Sequence, residues 1–193
     1  MKKKIVSLVL VFALALALGI GGTVAWLTAT TGEVENTFTV GDIEITLTET
    51  NDPEFDFVPG DNLAKDPYVI VTDDSEDCWV FVKVTETNNK VGNLQIIQWA
   101  IASGWNATSE ANVWYKVITD AEKGERQYIL AGDATYPNGH VTISGDVTEE
   151  IAEGLETAKP QLTFDAFAHQ SKNTNIETAT AAALAHFAAE TNQ

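Results

Sequence analysis

Alternation at period two constrains this chain more than any other feature. After the Gly41-Asp42 break, Ile43, Ile45 and Leu47 alternate with Glu44 and Thr46. Near the other end, Leu162, Phe164, Ala166 and Ala168 alternate with Thr163, Asp165, Phe167 and His169. Residues two apart share one face of a β-strand, so each segment predicts a half-buried strand. Cys78 to Thr85 is apolar on both faces and predicts a central strand. Val113–Ile118 predicts another, and Asp66–Thr72 a third that carries Pro67 at its first position, where no ladder bond is lost. Pro59-Gly60 and Pro137-Asn138-Gly139 mark turns. Asp120–Glu125, with Lys123-Gly124, predicts a hairpin turn into Arg126–Leu130. Asn106–Asn112 reads as a loop. Leu94–Ile101 fits strand and helix equally well.

Two stretches suit helices: residues 148–157, and the alanine-rich Ile176–Glu190. In the second, Ile176, Thr180, Ala183, Leu184 and Phe187 make a narrow apolar stripe. About seven to nine short strands between frequent turns predict an all-β sandwich with a short C-terminal helix.

Cys78 is the single cysteine of the 193 residues, so no disulfide within the chain can hold the fold. Its apolar neighbours predict a buried small hydrophobe; an exposed thiol linking two chains is the other reading. Five Trp, eight Phe and four Tyr supply a core and exclude disorder for most of the chain.

The first 40 residues bear on location. Lys2, Lys3 and Lys4 precede a charge-free apolar run from Ile5 to Leu18, then Gly19-Ile20-Gly21-Gly22. This is the layout of a secretory signal peptide, residues 1–25. Thr23 and Ala25 fit the small-x-small exit of a cut between Ala25 and Trp26. An uncleaved anchor is the alternative, since Ile5–Val24 is about the 20 residues that span a bilayer. Residues 26–36 are small and polar and read as a flexible N-terminal arm, followed by one sandwich domain over 37–193. The expected location is secreted, in the extracellular matrix or at the cell surface.

Removing the leader takes three lysines with it. The remainder keeps 8 basic residues against 28 acidic ones, a net charge near −20. That surface repels nucleic acid. It suits solubility outside the cell, or cation binding and charge-regulated assembly. Asp73, Asp74, Glu76 and Asp77 crowd one turn and are the candidate metal residues. Calcium takes six to eight oxygens, which clustered carboxylates supply. Their spacing is not that of an EF-hand, and a solvated acidic turn is the simpler explanation.

Catalysis finds no support. His140, His169 and His186 stand apart, without a His-Glu-x-x-His or Gly-x-Ser-x-Gly motif or a glycine-rich phosphate loop. No catalytic or cofactor residue is named, and the expectation is a non-enzyme.

Gly21-Gly22-Thr23-Val24-Ala25-Trp26-Leu27-Thr28 followed by Asn36-Thr37-Phe38-Thr39-Val40-Gly41-Asp42-Ile43 resembles the start of the TasA/camelysin family of Gram-positive bacteria. Pro59-Gly60-Asp61, Cys78–Val84 and Leu162–Gln170 are similar to later landmarks of that family. The resemblance implies a jelly-roll-like antiparallel β-sandwich and a leader cut by a SipW-type signal peptidase. It also implies a secreted subunit of a biofilm matrix fibre that associates with itself and with other matrix or cell-surface components. Some relatives are labelled metalloproteases; this chain lacks a recognisable zinc motif. Leader removal frees residues 26–40, the arm with Phe38 and Val40 beyond it, and this segment is expected to pair with a neighbouring subunit by strand addition. A monomeric, adhesin-like binding module is the second reading, and a secreted hydrolase the third.

Overall fold

The computed structural model describes residues 42–50, 57–155 and 157–190. The leader, the arm and the Gly41 break lie outside the described residues.

Two antiparallel sheets face each other across the main core. The first holds β1 (Ile45–Thr48), β3 (Tyr68–Val71) and β10 (Gln127–Tyr128), in that order. The second holds β12 (Gln161–Gln170), β4 (Cys78–Thr87), β9 (Val113–Ile118) and β8 (Asn106–Ala107), again in that order. A smaller sheet joins β2 (Asn62–Ala64), β11 (His140–Ile143) and β7 (Ile97–Gln98). β5 (Lys90–Val91) pairs with β6 (Leu94–Gln95). The expected all-β antiparallel sandwich is what the chain forms.

Alternation explains which side chains meet. Cys78, Val80, Val82 and Val84 of β4 point inward with Ile118 of β9, onto Val69 and Val71 of β3. β12 lies beside β4 in full register, with Ala168 opposite Val80, Ala166 opposite Val82 and Phe164 opposite Val84. Val69, Val71, Cys78, Val80 and Val82 are wholly buried. Each such valine contributes roughly 1.5–3 kcal/mol.

The odd positions of β4 face the other way. Phe81, with Val113 of β9, packs under α2 (Ile176–Glu190) through Ala179, Ala183 and Phe187. These three recur every fourth residue and share one helix face. Asn175 caps the helix: its Oδ1 accepts from the Thr178 N–H at 2.9 Å. The structure buries Ala179 where the sequence stripe placed Thr180, which is half-buried. An alanine there brings the helix close to the sheet and leaves the threonine hydroxyl at the margin.

α1 (Glu149–Leu155) covers a third cluster of Ile96, Val147 and Leu155. The ambiguous Leu94–Ile101 segment resolves into β6 and β7 with Ile96 wholly buried between them.

One expectation is corrected. Asp120–Glu125 does not close a hairpin, because β9 and β10 belong to different sheets. The Gly124 N–H donates to Val71 O at 2.8 Å, and Gln127 sits opposite Val69. β3 captures this segment and draws it across the sandwich. Gly124 has φ +74°, and a Cβ there would fall 2.5 Å from Asp73 Oδ1, so glycine suits the crossing twice over.

Candidate functional site

Among the described residues the sandwich has one long open flank. β12 is ten residues long, lies at the end of the second sheet and pairs only with β4 among the described strands. In an antiparallel ladder the N–H and C=O of one residue point to the same neighbour, and successive residues alternate. The Ser171 N–H donates to Asp77 O at 2.9 Å, so odd residues of β12 face β4. The backbone groups of Leu162, Phe164, Ala166 and Ala168 therefore point along the open edge. β1 ends the facing sheet and packs its Ile45 and Leu47 into the same core cluster as Phe164 and Ala166. Unpaired edges of this kind accept further strands.

The acidic turn is a structural joint. Asp73, Asp74 and Glu76 are exposed, while Ser75 between them is buried. The Ser75 hydroxyl lies 2.8 Å from the Thr72 hydroxyl and accepts from the Glu44 N–H at 3.0 Å. Asp77 pairs with Lys123, with Nζ–Oδ1 at 3.1 Å. That Asp77 oxygen is buried without a well-aligned hydrogen bond, and the ammonium supplies the charge it faces. Lys123 also pairs with Asp120 at 2.5 Å. Its hydrogen bond to Asp120 holds the lysine above, and the aspartate below, their ordinary pKa values. A side-chain cation thus meets one of the four candidate metal residues, Asp77. Among the described residues, no three His, Cys, Asp or Glu side chains converge as a metal site requires.

Cys78 lies beside this joint, wholly buried. Burial pushes its thiol up to about 11, opposed by the nearby Lys123 charge and assisted by Asp77. A protonated, enclosed thiol is neither a nucleophile nor a cross-linking group, so the structure favours the packing role.

The histidines occupy separate places. His140 stacks on Tyr136 with ring centroids 6.1 Å apart, and its Nε2 lies 4.0 Å from Asp133 Oδ2. Backbone N–H groups of Tyr136 and Thr135 donate to Asp133 and hold its carboxyl below the usual range. His186 of α2 lies 3.8 Å from Asp165 and 5.0 Å, ring to ring, from Phe167. His169 flanks the same phenylalanine at 6.5 Å. These two histidines are joined through Phe167 at the helix margin, a proximity the sequence did not reveal because strand and helix lie far apart along it.

Ala25, Trp26, Phe38 and Val40 lie outside the described residues. No described helix is long and apolar enough to cross a membrane. What the sequence missed is position: the β12 pattern was legible, its place at a sheet edge was not. Compared with known proteins, the chain matches no family model, no curated protein and no solved structure.

Proposed function

We propose that the chain is a secreted structural subunit of an extracellular, biofilm-type matrix fibre. The observation that carries the reading is the open flank: ten residues of β12, paired on one side only among the described residues, across the core from the edge strand β1. The described residues begin at Asp42, three residues before β1. After leader removal by a SipW-type peptidase, the arm bearing Phe38 and Val40 adds to the flank of the next subunit. A contact of this kind is head-to-tail and does not close on itself, so it propagates as a filament. The leader, while attached, keeps the arm at the membrane and suppresses assembly. The negative surface opposes association, and salt or divalent cations relieve that repulsion.

The test is negative-stain electron microscopy of the chain starting at Trp26 and of a second chain starting at Gly41, which lacks Phe38 and Val40, with and without millimolar calcium. Filaments from the first and dispersed particles from the second support the reading. Ala166→Pro sharpens it, since the N–H removed faces the open edge and makes no bond to β4. Filaments from the shortened chain discard the arm as donor. Dispersed particles from every chain and condition leave a monomeric binding module.

A further inference from the structure

Lys116, Glu122 and Gln127 meet between the two sheets. Lys116 stands on β9 of the second sheet, opposite Val80. Gln127 opens β10 of the first sheet, opposite Val69. The lysine Nζ donates to Gln127 Oε1 at 2.6 Å and lies 3.4 Å from Glu122 Oε1. An amine, a carboxamide and a carboxylate thus share one point, on the side of the sandwich away from the β12 and β1 edges. The same crossing that carries Gly124 to β3 brings Glu122 and Gln127 to the lysine.

Each partner is held in place. Gln127 is 6% exposed. Its Nε2 donates to Glu122 O at 3.2 Å and to Glu125 O at 3.4 Å. Two acceptors at the nitrogen set the orientation of the carboxamide and leave its oxygen to the lysine. The second oxygen of Glu122 accepts from the Thr119 N–H at 3.3 Å and from Thr119 Oγ1 at 3.4 Å. With a C=O bond of about 1.23 Å, the lysine Nζ stands no more than about 3.8 Å from the carboxamide carbon. Attack begins from roughly 3–3.5 Å. A salt bridge needs only Lys116 and Glu122. Gln127 adds an electrophilic carbon, pinned so that it stays beside the amine.

We infer that Lys116 and Gln127 are the site of an isopeptide bond within the chain. Glu122 accepts a proton from the lysine ammonium, as a base within reach of it. The freed Nζ lone pair attacks Gln127 Cδ, and the electrons of the C=O bond move to Oε1. Glu122 passes its proton to Nε2. The C=O bond reforms, and the Cδ–Nε2 bond breaks with its electron pair leaving on ammonia. Nζ sheds its surplus proton, which leaves with the ammonia as ammonium. One amide bond and one ammonium ion replace one ammonium side chain and one carboxamide. No oxidant or cofactor takes part. An ordinary amide resists a free amine in water, but two groups held in contact react as one molecule. The bond ties β9 of one sheet to β10 of the other, in a chain whose single cysteine can form no internal disulfide. It does not depend on fibre assembly.

The test is the intact mass of the purified, denatured chain, followed by tryptic mapping. The chain is expected to be lighter than its sequence by one ammonia. Trypsin is expected to spare Lys116 and to release a branched peptide, joining the fragment that ends at Lys123 to the one that begins at Gln127. Lys116→Arg keeps the charge and forms no such bond. Glu122→Gln keeps the shape and accepts no proton. Both are expected at full sequence mass. The native chain is read without either variant, so a variant that fails to fold leaves the test intact. A native chain at full sequence mass, with separate Lys116 and Gln127 peptides, overturns the inference. Loss of ammonia that persists in Lys116→Arg, or that maps to another site such as Asn138-Gly139, overturns it as well. A complete cross-link in Glu122→Gln overturns the mechanism through this carboxylate.

Discussion

The two faces of β4 are built on different terms. Its inner face presents Cys78, Val80, Val82 and Val84, all buried against a second sheet. Its outer face presents Trp79, Phe81 and Lys83, of which Phe81 alone is fully buried, under one helix. Branched side chains on a pleated surface have few rotamers to lose and interlock with little void. The outer face instead combines aromatic rings, two histidines and a lysine whose Nζ lies 5.9 Å over the Phe187 ring. The inner face therefore carries the fold. The outer face carries a cover that rests on three buried helix residues.

The widest separation between the faces should come from a buried charge. Val80→Asp places a carboxylate where valine is 0% exposed, opposite a Lys116 whose ammonium is already held by Gln127 Oε1 at 2.6 Å and Glu122 at 3.4 Å. An unpaired charge there costs several kcal/mol, and the expected result is an unfolded chain by circular dichroism and by cooperative melting. Phe81→Ala, on the opposite face, should cost about 3–5 kcal/mol. A folded sandwich should survive it, with the loss concentrated in helix signal. Equal damage from both variants would show that the helix and the sandwich core form one cooperative unit.

Ala183→Leu refines the same contrast. Ala183 is wholly buried beneath α2, and a larger side chain pushes the helix off the sheet at about 1–3 kcal/mol. Hydrogen exchange should quicken across Ile176–Glu190 while Val80 and Val82 stay protected. Uniform quickening would tie the helix to the core.

How much of this was legible follows from range. The β4 and β12 strands were readable because period-two alternation is local, and Leu162, Phe164, Ala166 and Ala168 do point inward as their spacing required. The helix was readable for the same reason, apart from the one-position shift from Thr180 to Ala179. The path of Asp120–Glu125 was not readable. Turn chemistry at Lys123-Gly124 matches a hairpin, but β3, fifty residues earlier in the chain, supplies the actual partner. The acidic turn was misleading in a similar way. Four carboxylates in sequence suggest a cation, and the cation that meets Asp77 is Lys123, brought by that same unforeseen crossing.

The smallest effect belongs to Cys78, at the end of the inner face. Its thiol is held up to about 11 by burial, from an ordinary value of 9.0. Above pH 9 the unfolded chain releases this proton and the folded chain keeps it. The folded state then binds more protons than the unfolded one, so stability falls as pH rises. The decline should run between about pH 9 and 11 and flatten beyond. Denaturant melts of the chain and of Cys78→Val across this window isolate the thiol, because every other titrating group is common to both. The stability difference should drift in favour of Cys78→Val as pH climbs, and iodoacetamide should label the thiol only as fast as the chain opens. A difference that stays flat with pH, or rapid labelling of the folded protein, would mean that this end of the inner face admits solvent. The dry core would then begin at Val80, and the contrast between the two faces would shorten by one residue pair.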